Sequence, residues 1–183
     1  MEKVLFIFFI ISGFNVQSQK TNDLITFSEN IDGIDISIST PNKYEIIKDP
    51  NDKNSINTVF LISKKVTSNL FRNVIKVSQQ SIPNSFTDEM VSKFLKDEKN
   101  FLQMYEGMKR SKPLMEIDKK SLNSITINGV NFFGINFKEG IENHISYSTF
   151  YKRKMWMIYF TYTTLQEGEI EEFQNIIKTL IIK

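Results

Sequence analysis

From Ile34 onward the chain alternates. Ile34, Ile36 and Ile38 are separated by Asp35, Ser37 and Ser39, a period of two that lays one apolar face on a core and turns the other to water. Pro41 ends the run, because proline cannot donate to a strand ladder. A turn-rich stretch, DPNDKNSIN at 49–57, leads to two more predicted strands, TVFLIS at 58–63 and FRNVIKVSQ at 71–79. In the latter, Ile75 and Val77 face away from Val74 and Lys76. At Thr87 the period changes to that of a helix. Met90, Val91, Phe94, Leu95, Phe101, Leu102, Tyr105 and Met108 share one face, in one helix of about five turns. Thr87 is its expected N-cap, Asp88 and Glu89 suit the positive end of its dipole, and Gly107 closes it. Strands then return at 122–128 and 130–138 around Asn128-Gly129, a dipeptide suited to a type I′ turn. Another pair, 145–151 and 155–163, flanks Lys152-Arg153-Lys154. A last helix from residue 167 places Ile170, Phe173, Ile176, Ile177, Leu180 and Ile181 on one side.

The order is β-β-β-α-β-β-β-β-α. Hairpins supply most connections, so the predicted class is α+β, a mostly antiparallel sheet flanked by two amphipathic helices. Gly134, inside one strand, is expected to mark a bulge or a close approach.

The N-terminus departs from this pattern. Lys3 precedes the apolar run Val4–Ile11, and Val16-Gln17-Ser18 offers a signal-peptidase site. Residues 1–18 are therefore a predicted signal peptide, residues 19–33 a flexible lead-in with a short edge strand at 25–27, and residues 34–183 a single domain. The apolar run is shorter than the ~20 residues of a membrane span, so no stable span is expected after cleavage. The protein is expected to be exported, to the periplasm or beyond the cell. It has no cysteine, which removes disulfides, a lipoprotein anchor and thiolate chemistry. The net charge of +2 is too small to argue for nucleic acid. Alanine is absent while Ile, Lys, Asn and Phe abound, as in AT-rich coding. Single Lys and Asn residues therefore carry little weight.

Catalytic patterns are missing. His144 is the one histidine, too few for a common zinc site, and no G-x-S-x-G elbow accompanies it. Its place at the entry of a strand suggests a surface or turn residue. Glu171 and Glu172 at a helix start serve the dipole and solvation. Asp49 and Asp52 lack the spacing of a calcium loop, and no glycine loop for phosphate occurs. No cofactor is expected. The candidate binding residues are Lys152, Arg153 and Lys154, either a solvated turn or a patch for an acidic partner or lipid headgroup. Tyr159 joins them. It shares a face with Met155 and Met157, opposite Trp156, Ile158, Phe160 and Tyr162, and that face becomes an interface if no helix covers it.

Three stretches carry a family resemblance: Pro41-Asn42-Lys43-Tyr44 after the first alternating strand; RNVIKVSQQ before a long helix; and INGVNFFGINF followed by MIYFTYTT and the closing EEFQNIIKTL. Together they resemble the PsbP-like superfamily over residues 34–183, with Tyr44 where the family more often has Trp. The superfamily includes the extrinsic photosystem II protein and a Ran-GTPase-binding import factor. The resemblance implies an antiparallel sheet between helices and no enzymatic activity. It transfers no partner-contact residue. The expected function is an exported, non-enzymatic binding or assembly module with a protein partner of unknown identity. The alternative is a small-ligand or lipid carrier.

Overall fold

The alternation at Ile34 becomes a strand whose inward residues, Ile34, Ile36 and Ile38, are all buried. The structure, a computed structural model, describes residues 23–47, 57–65 and 73–183. The expected signal peptide, residues 1–18, lies outside these, as do most of the turn-rich stretch at 49–57 and most of the segment joining the predicted strands at 58–63 and 71–79.

In chain order the elements are β1 (Leu24–Ile31), β2 (Ile34–Pro41), β3 (Tyr44–Ile46), β4 (Thr58–Lys64), β5 (Val74–Ser81), α1 (Asp88–Lys96) and α2 (Glu98–Lys109). They continue with β6 (Met115–Ile127), β7 (Val130–Glu139), β8 (Glu142–Tyr151), β9 (Lys154–Tyr162), α3 (Glu169–Ile177) and β10 (Ile181–Ile182). Two sheets result, one ordered β1-β2-β10 and one ordered β3-β4-β5-β9-β8-β7-β6. Their pairings are antiparallel. The class is α+β and sheet-dominated, as the hairpin pattern implies.

Three layers follow from which faces are apolar. One face of the large sheet, with Trp156, Ile158 and Phe160, packs against β2 and against Phe173, Ile176 and Ile177 of α3. The other packs Ile135 and Phe137 under Tyr105 of α2. The Pro41–Tyr44 stretch carries the chain from the small sheet into the large one. Tyr44 is buried as soon as it enters β3.

Asn128 and Gly129 have φ of 47° and 84°, as a type I′ turn requires. The turn also has a tertiary task. The Asn128 amide donates to Leu180 O at 2.6 Å and Lys178 O at 3.3 Å, capping the end of α3.

Several boundaries differ from the sequence reading. The segment 24–31, read as part of a lead-in with an edge strand at 25–27, is a full strand paired along β2. Most of its residues are exposed, so no alternation betrays it. The expected single helix is two. Asp97 is extended (φ −132°, ψ 111°) and its carboxylate accepts from Lys99 N at 2.9 Å, ending α1 and capping α2. Gly107 lies within α2 and does not end it. Met90 and Ile170, assigned to buried helix faces, are 46% and 38% exposed. Ile181 leaves the last helix for β10, which returns beside β2 through Asp35 and Lys183.

β6 starts well before residue 122 and carries a bulge. Its register against β7 shifts between Asp118 and Asn123. Ser121 Oγ closes the bulge, donating to Asp118 O at 2.6 Å and accepting from Asn136 N at 2.7 Å. Opposite it sits Gly134. A Cβ there would touch Asn123 Oδ1 and lie 2.6 Å from the buried Tyr147 ring. Gly134→Ala should therefore destabilise the protein by about 1–3 kcal/mol. A lowered urea midpoint at unchanged slope would register it; an unchanged midpoint would mean that Tyr147 yields freely.

Candidate functional site

The basic cluster does not form a free patch. Lys152 and Arg153 make the β8–β9 turn with φ of 47° and 60°. Lys152 lies 5.5 Å from the Tyr151 ring. Arg153 reaches back to the start of α1, donating to Phe86 O at 2.7 Å and to Asp88 Oδ1 at 2.8 Å. Lys154 lies in β9 rather than in the turn. It is only 6% exposed, with its ammonium on Asp32 Oδ2 at 2.7 Å and Gln79 Oε1 at 3.2 Å. Two of the three cations thus tie elements of the fold together.

Tyr159 is under α2, in the second core. Its hydroxyl donates to Met157 Sδ at 3.1 Å, and burial, with Tyr105 adding to it, pushes the phenol well above its usual range. Next to it Tyr105 OH meets Ser146 Oγ at 2.5 Å and Ser148 Oγ at 3.0 Å. This hydroxyl seam is fully enclosed and acts as polar glue between helix and sheet.

His144 is not a surface residue. It is buried at 9% exposure in β8, stacked on Phe137 at 4.5 Å, with Nδ1 on Thr161 Oγ1 at 2.9 Å. Among the described residues Nε2 has no hydrogen-bond partner, and the Glu142 carboxylate stands 3.8 Å away. Burial holds the imidazole below its usual range, against the opposing pull of Glu142 and Glu139. A polar hollow of about 320 Å³ adjoins it, edged by Glu116, Asp118 and Tyr162. Nδ1 is thus committed to the Thr161 hydroxyl, and Nε2 is enclosed. Among the described residues no group of three His, Cys, Asp or Glu side chains could hold a metal ion.

The concavity with ligand-like character lies at the other end of α2. Phe86, Phe94, Phe150, Met104 and Met155 wall a cleft of about 420 Å³. It exists because three apolar elements converge without filling the space. Phe94 comes from α1, Phe150 and Met155 from the β8–β9 hairpin, and Met104 from α2. Phe86 packs on Phe94 and Phe150, with ring centroids 6.2 Å from each. Behind them Phe101 stacks on Phe133 at 4.3 Å. α1 buries no residue fully, so this wall is thin. Met155 alone connects the cleft with the candidate face of β9. Sequence reasoning missed the cleft because it is assembled from the β5–α1 loop, two helices and a hairpin. The apolar density of 86–104 was its one visible sign.

No protein-family model and no curated protein matches the sequence. Solved structures do match. The solution structure of cyanobacterial PsbP from Synechocystis aligns over 91% of this chain and 96% of its own, with a TM-score of 0.57 at 10% identity. LpqN of Mycobacterium tuberculosis, described as involved in cell envelope biogenesis, aligns over 88% and 92% with a TM-score of 0.49 at 11% identity. A Bacteroides thetaiotaomicron protein aligns over 81% of this chain and 45% of its own, with a TM-score of 0.46 at 13% identity. The fold is PsbP-like.

Proposed function

We propose that this protein is an exported, non-enzymatic binding module that engages its partner through the cleft between α1–α2 and the β8–β9 hairpin. The cleft itself carries this reading. It is concave, mostly apolar and edged by a few polar groups, the usual character of a binding site. The first 18 residues support export to the periplasm or beyond the cell. The PsbP-like fold supports an accessory role only by analogy, since one fold hosts many functions. That Arg153 and Lys154 are already paired within the fold favours the cleft over the Lys152–Lys154 turn.

The test is affinity capture in the producing cell's envelope and secreted fractions, using the tagged full chain and a Phe86→Ser variant. A stoichiometric companion, protein or small molecule, that the variant loses is the expected result. A companion held equally by both would move the site elsewhere. Catalytic turnover mapping to the hollow beside His144 would replace the reading with an enzymatic one.

A further inference from the structure

Among the described residues, no charged side chain lines the cleft. Two of the cations at this end are occupied. Arg153 is held by Asp88 and the Phe86 carbonyl, and Lys154 by Asp32 and Gln79. An anion seated among Phe86, Phe94 and Phe150 would be desolvated with no partner, and so would a cation. Either is costly. The polar side chains that line it are neutral: the Ser81 hydroxyl and the carboxamides of Gln80, Asn100 and Gln103. Asn100 spends one donor on Lys93 O at 3.3 Å. The side chains of Gln80 and Gln103 have no hydrogen-bond partner among the described residues. Each carboxamide offers both a donor and an acceptor, the equipment for a neutral hydrogen-bonding group such as an amide, ester or hydroxyl. Met104 and Met155 add adaptable thioether surface. The volume of about 420 Å³ falls within the range of small-molecule sites.

From these features we infer that the cleft binds a neutral, largely apolar small molecule bearing one hydrogen-bonding group, and that it discriminates against charged relatives of the same shape. This rests on the binding-module reading above and names the class of its ligand.

Two fluorescent probes that differ by one group provide the test. N-phenyl-1-naphthylamine is neutral, apolar and has a single N–H. 8-Anilinonaphthalene-1-sulfonate is the same skeleton with an anionic group. Each is titrated into the full chain and into Phe86→Ser and Met155→Gln variants, with circular dichroism to establish that both remain folded. Phe86 lies in a loop and both side chains are half-buried, so neither change removes a core residue. The neutral probe should saturate at one site and bind at least ten-fold more tightly than the sulfonate. At least one folded variant should weaken it about ten-fold. The inference is overturned if the neutral probe does not saturate, if the sulfonate binds as tightly, or if both folded variants bind unchanged. Should the neutral probe be refused while partner capture still depends on Phe86, the inference fails and the binding-module reading stands. Should both be lost, both fail.

Discussion

Replacing Phe101 by alanine is expected to lower the free energy of unfolding by about 3–5 kcal/mol, the range for deleting a buried phenylalanine. The residue is 0% exposed. Its ring stacks on Phe133 at 4.3 Å and meets Phe94 at 5.0 Å and Phe150 at 5.8 Å. It is therefore the common contact between α1, α2 and the sheet face that the helices cover. α1 has no fully buried residue of its own, so its packing depends on what α2 presents to it. For a chain of this size each kcal/mol lost lowers the melting temperature by about 2–4 °C. Loss should be local before it is global: in native-state hydrogen exchange the amides of α1 should open first. Met90→Ala on the same helix serves as control. Met90 is 46% exposed, and its loss should stay within about 0.5 kcal/mol. Equal effects from the two variants would mean that the ring cluster does not organise this layer.

The elements legible in the sequence were those whose signal is local. Asn128-Gly129 specifies its turn through the φ angles that only a few residues tolerate. Thr87 caps α1 with Oγ1 on Met90 N at 3.3 Å, as its place before two acidic residues implied. The alternation in β9 sorted Trp156, Ile158 and Phe160 correctly into one core. What escaped depends on partners distant in sequence. β10 looks helical because its isoleucines continue a three-to-four spacing, and its pairing with β2 decides otherwise. Asp97 is the local exception: it reads as a polar residue on a helix, yet its carboxylate accepts from Lys99 N and caps α2. Lys154 looks like the third member of a solvated basic turn. Asp32, more than a hundred positions earlier, draws it into the fold. His144 reads as a surface or turn residue from its place at the entry of a strand, yet Phe137 on the next strand covers it. The candidate site escaped for the same reason, since no single segment contributes enough of it.

Acid should weaken the protein through Glu169, and removing that carboxylate should cost about 3 kcal/mol at neutral pH. Glu169 opens α3 yet is only 7% exposed. Its oxygens accept from Lys64 Nζ at 2.6 Å, Asn73 Nδ2 at 2.8 Å and Gln166 N at 2.9 Å. Glu172, one turn on, pairs with Lys43 at 2.5 Å and Lys64 at 3.3 Å. These carboxylates fasten α3 to β3 and β4, more than the dipole and solvation role that sequence suggests for Glu172. Burial alone would push both acids up. The Gln166 amide, Lys64 and Asn73 outweigh it at Glu169, and Lys43 and Lys64 at Glu172, so both carboxyls sit below their usual value of 4.5. A depressed native pKa means that the unfolded chain binds protons first as pH falls. The stabilisation is therefore complete above the unfolded value and is lost as pH falls through the native one. Lys64 is held above its usual 10.5, so its share fades only in strong base. In urea titrations, Glu169→Ala should lower the midpoint substantially at pH 7. The gap to the unmodified protein should narrow steadily between pH 5 and pH 3. Glu169→Gln should retain part of the Asn73 and Gln166 bonding and show a flatter acid limb. A gap that stays constant down to pH 3 would mean that the charge of Glu169, as distinct from its shape, contributes nothing.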